Sequence, residues 1–252
     1  QSQTHSEERW VVDLGERQTN TLQDTATGIQ AFPAGAHTGL CWHEILEELR
    51  FNQSAQEQKH LIISKLEKYM LGIDDAEEVV AMCDCVRLAS LNQNISLSQM
   101  AFRLPESQFL LNEFDFQPEK VLQHLGDTLP ENIRHALRQV KQHSVRGFFN
   151  GFIDMLAQDS KGEVYVIDYK SNKLPHYDLD AMNAAMAEHH YAVQAIIYAI
   201  AVRRMFSLRN ACPPVLRIRY LFLRGLNAND NNGIWAWDID CATLIALEKV
   251  LI

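Results

Sequence analysis

Residues 163–171 constrain this chain more than any other stretch. Val164, Val166 and Ile167 keep the segment apolar on both faces until Asp168 interrupts it. A strand apolar on both faces is buried on both. The Asp168 carboxylate therefore emerges at the end of a buried strand, where a charge seldom stands without a partner. Residues 146–158 form a second strand, and Asp159, Ser160, Lys161 and Gly162 are the natural turn between the two. Gly162 fits the left-handed position of a three-residue hairpin loop. Pairing Asp159 with Glu163 then sets Asp154 opposite Asp168. Side chains alternate along a strand, so Lys170 shares the face of Asp168. Two carboxylates and an ammonium are expected on one face of one hairpin.

Like charges directly opposite on a sheet repel, and something positive must stand between them. Lys170 supplies part of that charge. A divalent cation would supply more, because hard cations favour carboxylate oxygens. Bound there, it would lower the pKa of a water and stabilise charge on a phosphoryl oxygen, with Lys170 orienting or deprotonating that water. The residues spell an arrangement for cleaving phosphodiesters. The competing reading is a surface Asp–Lys–Asp salt-bridge cluster, and the apolar run before Asp168 speaks against it.

The rest of the chain supplies mostly helices. Residues 1–30 are polar and read as a lead-in or linker, with residues 31–252 as one domain. Helices are predicted over 38–51, capped by Thr38, over 54–71, opened by a Ser54/Glu57 capping box, and over 75–90. A strand follows at 108–116 and a helix at 131–143. After the hairpin come a long helix over 180–206, strands at 215–224 and 234–238, and a terminal helix over 242–252. This order predicts an α/β fold, a central mixed sheet flanked by helices with an extra N-terminal helical region. Hydrophobic residues are 47% and charged residues 22% of the 252, which excludes a disordered or low-complexity chain. No run of about 18 apolar residues occurs, so no transmembrane helix is expected. The net charge of −9 argues against a nucleic-acid binder held by counterion release alone. It leaves room for an enzyme whose positive charge is a metal ion or a partner subunit. The five cysteines, at 41, 83, 85, 212 and 241, are odd in number, and Cys83-Asp-Cys85 has the wrong spacing for zinc. All five read as reduced thiols of a cytoplasmic protein. A chain opening at Gln1 reads as a piece of something longer.

These motifs resemble the PD-(D/E)xK nuclease superfamily. Asp154 with Asp168-Tyr169-Lys170 is similar to its core motif. More narrowly, Gly151-Phe-Ile-Asp154, Ile167-Asp-Tyr-Lys-Ser-Asn172 and Tyr191-x-x-Gln194-x-x-x-Tyr198 resemble its RecB-type nuclease domains. Phe32-Pro-Ala-Gly-Ala36 and Gly39-x-x-x-His43-x-x-x-Glu47 look like the first motif of that type. The resemblance implies a restriction-endonuclease-like core and a metal-dependent exodeoxyribonuclease of the exodeoxyribonuclease V type. Such an enzyme acts in double-strand-break repair, recombination and degradation of linear DNA. The implied cofactor is Mg²⁺, with Mn²⁺ as a substitute and Ca²⁺ binding without supporting catalysis. His43, Asp154, Asp168 and the Tyr169 carbonyl would hold the metal, and Asp154, Asp168 and Lys170 would be catalytic. On residues alone, His43 would read as an ordinary helix histidine, and His37 is a nearby competitor. Glu113 matches an acidic position near the metal, with Asp115 on the same strand face as its alternative. Gln194, Tyr198 and Tyr191 lie along one helix face and would line the site and touch DNA. Packing of the tyrosines on the sheet is the other reading. Lys173, Arg203, Arg204 and Arg224 are candidate phosphate contacts. The sequence has no Walker A motif. The implied partners are therefore DNA single strands from an unwound duplex, a helicase part of the same parent chain, and RecC- and RecD-like subunits, with no membrane. No four-cysteine set for an iron–sulfur cluster is present. Two other readings stay open: an inactive nuclease-like module that binds DNA or docks subunits, and a stand-alone exonuclease of the CRISPR-associated or phage type.

Overall fold

The computed structural model describes residues 10–11, 27–93, 95–140, 145–227 and 232–251. In chain order its first half comprises β1 (Trp10–Val11), α1 (Ala36–Glu48), α2 (Lys59–Lys68), α3 (Ala76–Leu88), β2 (Phe102–Phe116), α4 (Pro118–Leu125) and α5 (Glu131–Arg138). The second half comprises β3 (Val145–Gln158), β4 (Val164–Lys170), α6 (Leu179–Glu188), α7 (Tyr191–Ser207), β5 (Val215–Phe222), β6 (Ile234–Asp240) and α8 (Cys241–Leu251).

The central hairpin has the register that its turn predicts. β3 and β4 pair antiparallel, Met155 with Ile167, Leu156 with Val166, Ala157 with Tyr165 and Gln158 with Val164. Gly162 takes φ +83°, and Asp159 Oδ1 accepts the Lys161 and Glu163 N–H groups, both at 2.9 Å. β5 runs parallel to β4, placing Tyr220 beside Asp168, and pairs antiparallel with β6. β2 lies antiparallel along the other edge of β3, and β1 pairs parallel with β3 at Phe149 and Asn150. The sheet is mixed, as expected.

Alternation on β4 sorts two cores. Val164 and Val166 face one that contains residues of α4 to α8. Tyr165, Ile167 and Tyr169 face another that contains residues of α1 to α3. The N-terminal helices are thus a full layer of the fold. α7 is buried along its length from Tyr191 to Val202 with few breaks, as a helix apolar all round must be.

Several boundaries differ from the sequence expectation. α1 begins at Ala36 after Gly35, and Thr38, inside the helix, donates its hydroxyl to the Pro33 carbonyl at 2.9 Å. The Ser54/Glu57 box forms, but it opens a single 3₁₀ turn ahead of α2. β2 begins six residues before the predicted strand. α4 was missed although Pro118 at its first turn is a start signal. The predicted helix over 180–206 is two helices, because His190 takes the left-handed conformation at φ 57° and redirects the chain. Of the predicted linker, residues 1–9 and 12–26 lie outside the described residues. Trp10 and Val11 join the sheet, and the Ile29 carbonyl is bonded to Arg224. The expectation of five reduced thiols is corrected: Cys212 and Cys241 are joined, with Cα atoms 6.0 Å apart, and three cysteines are free. The pairing of Val215 with Asp240 brings those two residues together, a proximity no local pattern reveals. No helix among the described residues is long and apolar enough to cross a membrane.

Candidate functional site

The site forms where β3 and β4 part. Beyond Met155 and Ile167 the ladder stops. The Tyr169 N–H, next in line to bond β3, donates instead to Asp154 Oδ2 at 2.7 Å. The Tyr169 carbonyl lies 3.0 Å from His43 Nε2. The other ring nitrogen of His43 is 3.5 Å from Asp154 Oδ2. A buried arginine fixes α1 against this strand end. Arg224 donates to the carbonyls of Ser171, Ile29, Phe32 and Pro33 and lies over the Trp42 ring. The structure therefore directs Arg224, a predicted phosphate contact, to the backbone.

The α7 side holds Asp168 and Lys170. Lys170 Nζ is 2.7 Å from Asp168 Oδ2, yet the contact lacks hydrogen-bond alignment, and Oδ2 is a buried acceptor without a hydrogen bond. The same ammonium lies 3.2 Å from Gln194 Oε1 and 3.9 Å from the centre of the Tyr191 ring. Tyr198 donates its hydroxyl toward Asp168 Oδ1 (3.2 Å) and Phe152 O (3.0 Å), and accepts from Gln194 Nε2 at 2.9 Å. Tyr191 donates to Asn172 Oδ1, and Tyr220 to Gln194 Oε1, both at 3.1 Å. Gln194, Tyr191 and Tyr198 thus line the site from beneath. All three are buried, so as folded they brace Lys170 and Asp168 and offer DNA no surface. Sequence reasoning missed Tyr220, which reaches the site only because β5 is the parallel neighbour of β4, and the role of Asn172.

Charge is unevenly distributed here. Burial drives the Asp168 carboxyl up to about 6, with help from Asp154 and against the pull of Lys170. Burial lowers the Lys170 pKa, but Asp168 outweighs it and holds the group above the usual lysine range. Lys170 is therefore an ammonium at neutral pH, suited to orienting a water and stabilising negative charge rather than accepting a proton. Burial also lowers the His43 pKa, and the adjacent Asp154 more than reverses this, lifting it to about 9. Burial raises Asp154, while His43 and Lys170 bring it below its ordinary value. The side chain of His43 is 30% exposed and that of Asp154 13%, against 2% for Asp168. The site opens on the His43–Asp154 side.

The other predicted residues fall as follows. Lys173 is half-buried just past β4. Glu113 stands seven positions along β2 from Glu106, the residue facing Asp154, roughly 20 Å of strand; its side chain lies outside the described residues. Asp115 is bonded by Gln117 Nε2 and lies 3.7 Å from Lys120. Arg203 pairs with Glu248 at 3.1 Å, and Arg204 lines an apolar groove beside β2. His37 is exposed in the first turn of α1.

Among the described residues, no group of three or more His, Cys, Asp or Glu side chains is gathered as a ready cation cage. Two side chains and a carbonyl, His43, Asp154 and Tyr169 O, are in mutual contact, with Asp168 held beside them by Lys170 and Tyr198. Carboxylate, carbonyl and imidazole donors without a thiolate suit Mg²⁺ or Mn²⁺. The buried Asp168 Oδ2, without a hydrogen bond, is an acceptor a cation would satisfy. The residues fit such an ion.

A family model described as the PD-(D/E)XK nuclease superfamily matches residues 25–236. The RecBCD enzyme subunit RecB of Escherichia coli is 32% identical over 236 residues, covering 87% of this chain and 19% of that protein. The subunit of the same description from Haemophilus influenzae is 25% identical over 233 residues, 86% of this chain and 18% of that protein. That of Mycobacterium tuberculosis is 23% identical over 275 residues, 90% and 25%. The chain spans a quarter or less of the length of these relatives.

Proposed function

Because the chain belongs to the PD-(D/E)XK nuclease superfamily, we propose that it hydrolyses DNA phosphodiester bonds with Mg²⁺, as a nuclease domain of the exodeoxyribonuclease V type. The observation that best supports this is the meeting of His43, Asp154, the Tyr169 carbonyl, Asp168 and Lys170 where β3 and β4 part. His43, Asp154, Asp168 and the Tyr169 carbonyl would hold the cation, which supplies a water of lowered pKa and charge stabilisation at the phosphate. Lys170 orients that water and stabilises charge developing on the phosphate. Gln194 and Tyr191 fix the direction of the ammonium, and Tyr198 holds Asp168. Asp154 and His43 fix one another and keep the Tyr169 carbonyl turned to the open side. Lys173, just past β4, contacts a DNA phosphate, and Glu113 is a further acidic group on the DNA path.

The likeness to RecB subunits supports a setting inside a RecBCD-type helicase–nuclease. There a helicase part of the same parent chain and RecC- and RecD-like subunits would deliver single strands from an unwound duplex. The work would be double-strand-break repair, recombination and degradation of linear DNA in the cytoplasm, with residues 31–252 as the nuclease domain. Mn²⁺ would substitute for Mg²⁺, and Ca²⁺ would bind without supporting cleavage. The test is cleavage of labelled linear single-stranded DNA with Mg²⁺, with EDTA, and by Lys170→Ala and Asp168→Ala variants. Cleavage that needs the metal and both residues is expected. Failure to cleave together with failure to bind Mg²⁺ or Mn²⁺ would leave an inactive docking or DNA-binding module instead.

A further inference from the structure

β3 carries Asp154 into the site, and the residue two places before it is exposed. Phe149 and Ile153 belong to the core under α7. A side chain at Gly151 would strike the Phe109 ring, 2.9 Å from where its Cβ would lie. Positions 149, 151 and 153 thus share the α7 face. Alternation turns Phe152 to the other face, the side of α1 and His43. On β2, Phe109 and Leu111 pack toward α7, so Leu110 points to the same side as Phe152. Gln108 pairs with Phe152 and Leu110 with Asn150, which makes Leu110 the diagonal neighbour of Phe152. The helices leave this patch open: Phe152 is 50% exposed and Leu110 62%.

A scattered exposed leucine is ordinary on a protein surface, but an aromatic ring at the mouth of a charged site is not. Among the described residues one other phenylalanine is exposed, Phe102, at the far end of the ladder opposite Gln158. The backbone beneath the Phe152 ring is fixed to the site. Tyr198 donates its hydroxyl toward both the Phe152 carbonyl (3.0 Å) and Asp168 Oδ1 (3.2 Å), and its ring meets Phe109 edge-on at 5.8 Å. One side chain thus sets Phe152 and Asp168 against each other. Two strand residues span about 7 Å, within the reach of a single nucleotide from its phosphate to its base. A phosphate held at Asp154 would therefore bring an adjoining base over the Phe152 ring. Charge favours such a contact. The chain carries a net charge of −9, so a DNA strand gains little affinity from its phosphates here, whereas the face of a base is neutral and stacks on an aromatic ring whatever the sequence.

We infer that Phe152 is a stacking platform for one nucleobase of the DNA strand, next to the bond that is cut. The inference rests on the nuclease reading above. The full chain is assayed for cleavage of a labelled single-stranded oligonucleotide with Mg²⁺, KM and kcat being measured separately for wild type, Phe152→Ala, Phe152→Leu and Phe152→Trp. The Ala variant is expected to raise KM about tenfold, the worth of one stacked base, with the melting temperature close to that of wild type, as for an exposed substitution. Trp should keep the wild-type KM or lower it, and Leu, apolar but without a π face, should resemble Ala. An oligonucleotide with a single abasic position beside the cleaved bond should be a poorer substrate for wild type by the same factor. Against the Ala variant that abasic position should cost nothing more, because both changes remove one contact. A wild-type KM in Phe152→Ala, or full rescue by Leu, would overturn this inference and leave the nuclease standing. No cleavage by the wild type would overturn both.

Discussion

The strands β4 and β5 carry a cluster of acids and cations at each end, and the two clusters are built on opposite principles. At the N-terminal end of β4, Arg217 grips Glu163 with two hydrogen bonds of 2.8 and 2.9 Å and also pairs with Asp238. Arg219 adds a 2.7 Å bond to Asp238 and another to the Leu91 carbonyl. Two guanidinium forks meet two carboxylates, and each is matched. At the C-terminal end, Asp154, Asp168 and Glu106 face one lysine and one histidine. A lysine is a point charge without a fork, and its contact with Asp168 is close but not aligned. Matched forks mark a cluster that holds the fold. Surplus acid and a misaligned pair leave the other cluster with charge that its own residues do not match.

Lys170→Ala should separate the ends most. Loss of a positioned group of this kind lowers cleavage per folded molecule about 100- to 10,000-fold, beyond the stability lost with the buried Lys170–Asp168 contact. Arg217→Ala should destabilise the protein and leave cleavage per folded molecule unchanged. Parallel melting curves and single-strand cleavage assays check both. Equal loss of activity in the two variants would erase the distinction.

The Cys212–Cys241 bond lies at the structural end, closing a 29-residue separation across β5 and β6. Reduction should cost about 3 kcal/mol of stability by chain entropy and leave cleavage of the still-folded protein unaltered. A thiol titration in denaturant should find three free thiols before reduction and five after. Five from the start would restore the fully reduced reading of the sequence.

Arg219→Met should cost about 2 kcal/mol, because it leaves the buried Leu91 carbonyl without its donor and Asp238 without one partner. Urea unfolding measures it. This arginine ties β5 to the loop beyond α3, so the loss should appear in the whole transition.

The hairpin at the centre was legible because its turn fixes its register, and the register places Asp154, Asp168 and Lys170. The buried strand was legible from Val164, Val166 and Ile167. Local chemistry also gave the Ser54/Glu57 box, though not the short turn it opens. What stayed hidden depends on contacts far apart in sequence. Tyr220 meets Asp168 through a parallel neighbour, Arg224 clamps residues nearly two hundred positions earlier, and Cys212 meets Cys241 across a hairpin. Glu106 was hidden for a different reason. The alternating pattern began only at Gln108, whereas β2 starts at Phe102 and sets Glu106 opposite Asp154.

The finest contrast between the ends is the sign of their response to acid, read in EDTA so that no cation intervenes. Glu163 is held below its ordinary value by the Arg217 fork. Its stabilisation is present above an unfolded pKa near 4.3 and is lost as the pH falls through the folded value. Asp168 behaves oppositely. Its folded pKa is about 6 against about 3.9 unfolded, so between those values the native state binds the extra proton and stability rises as the pH falls. His43, with a folded pKa of about 9 against about 6.5 unfolded, adds to the rise between pH 7 and about 6 and, being protonated in both states, adds little slope below it. Glu106, also raised, adds to the rise. The gain from pH 7 to pH 4 should be ~1–2 kcal/mol, measured by urea unfolding at each pH. Asp168→Asn should flatten the rise and spare the acid loss, while Glu163→Gln should spare the rise and flatten the acid loss. If stability instead falls steadily from pH 7 downward in the wild type, the C-terminal cluster is as well matched as the other, and the case for a cation at Asp168 weakens with it.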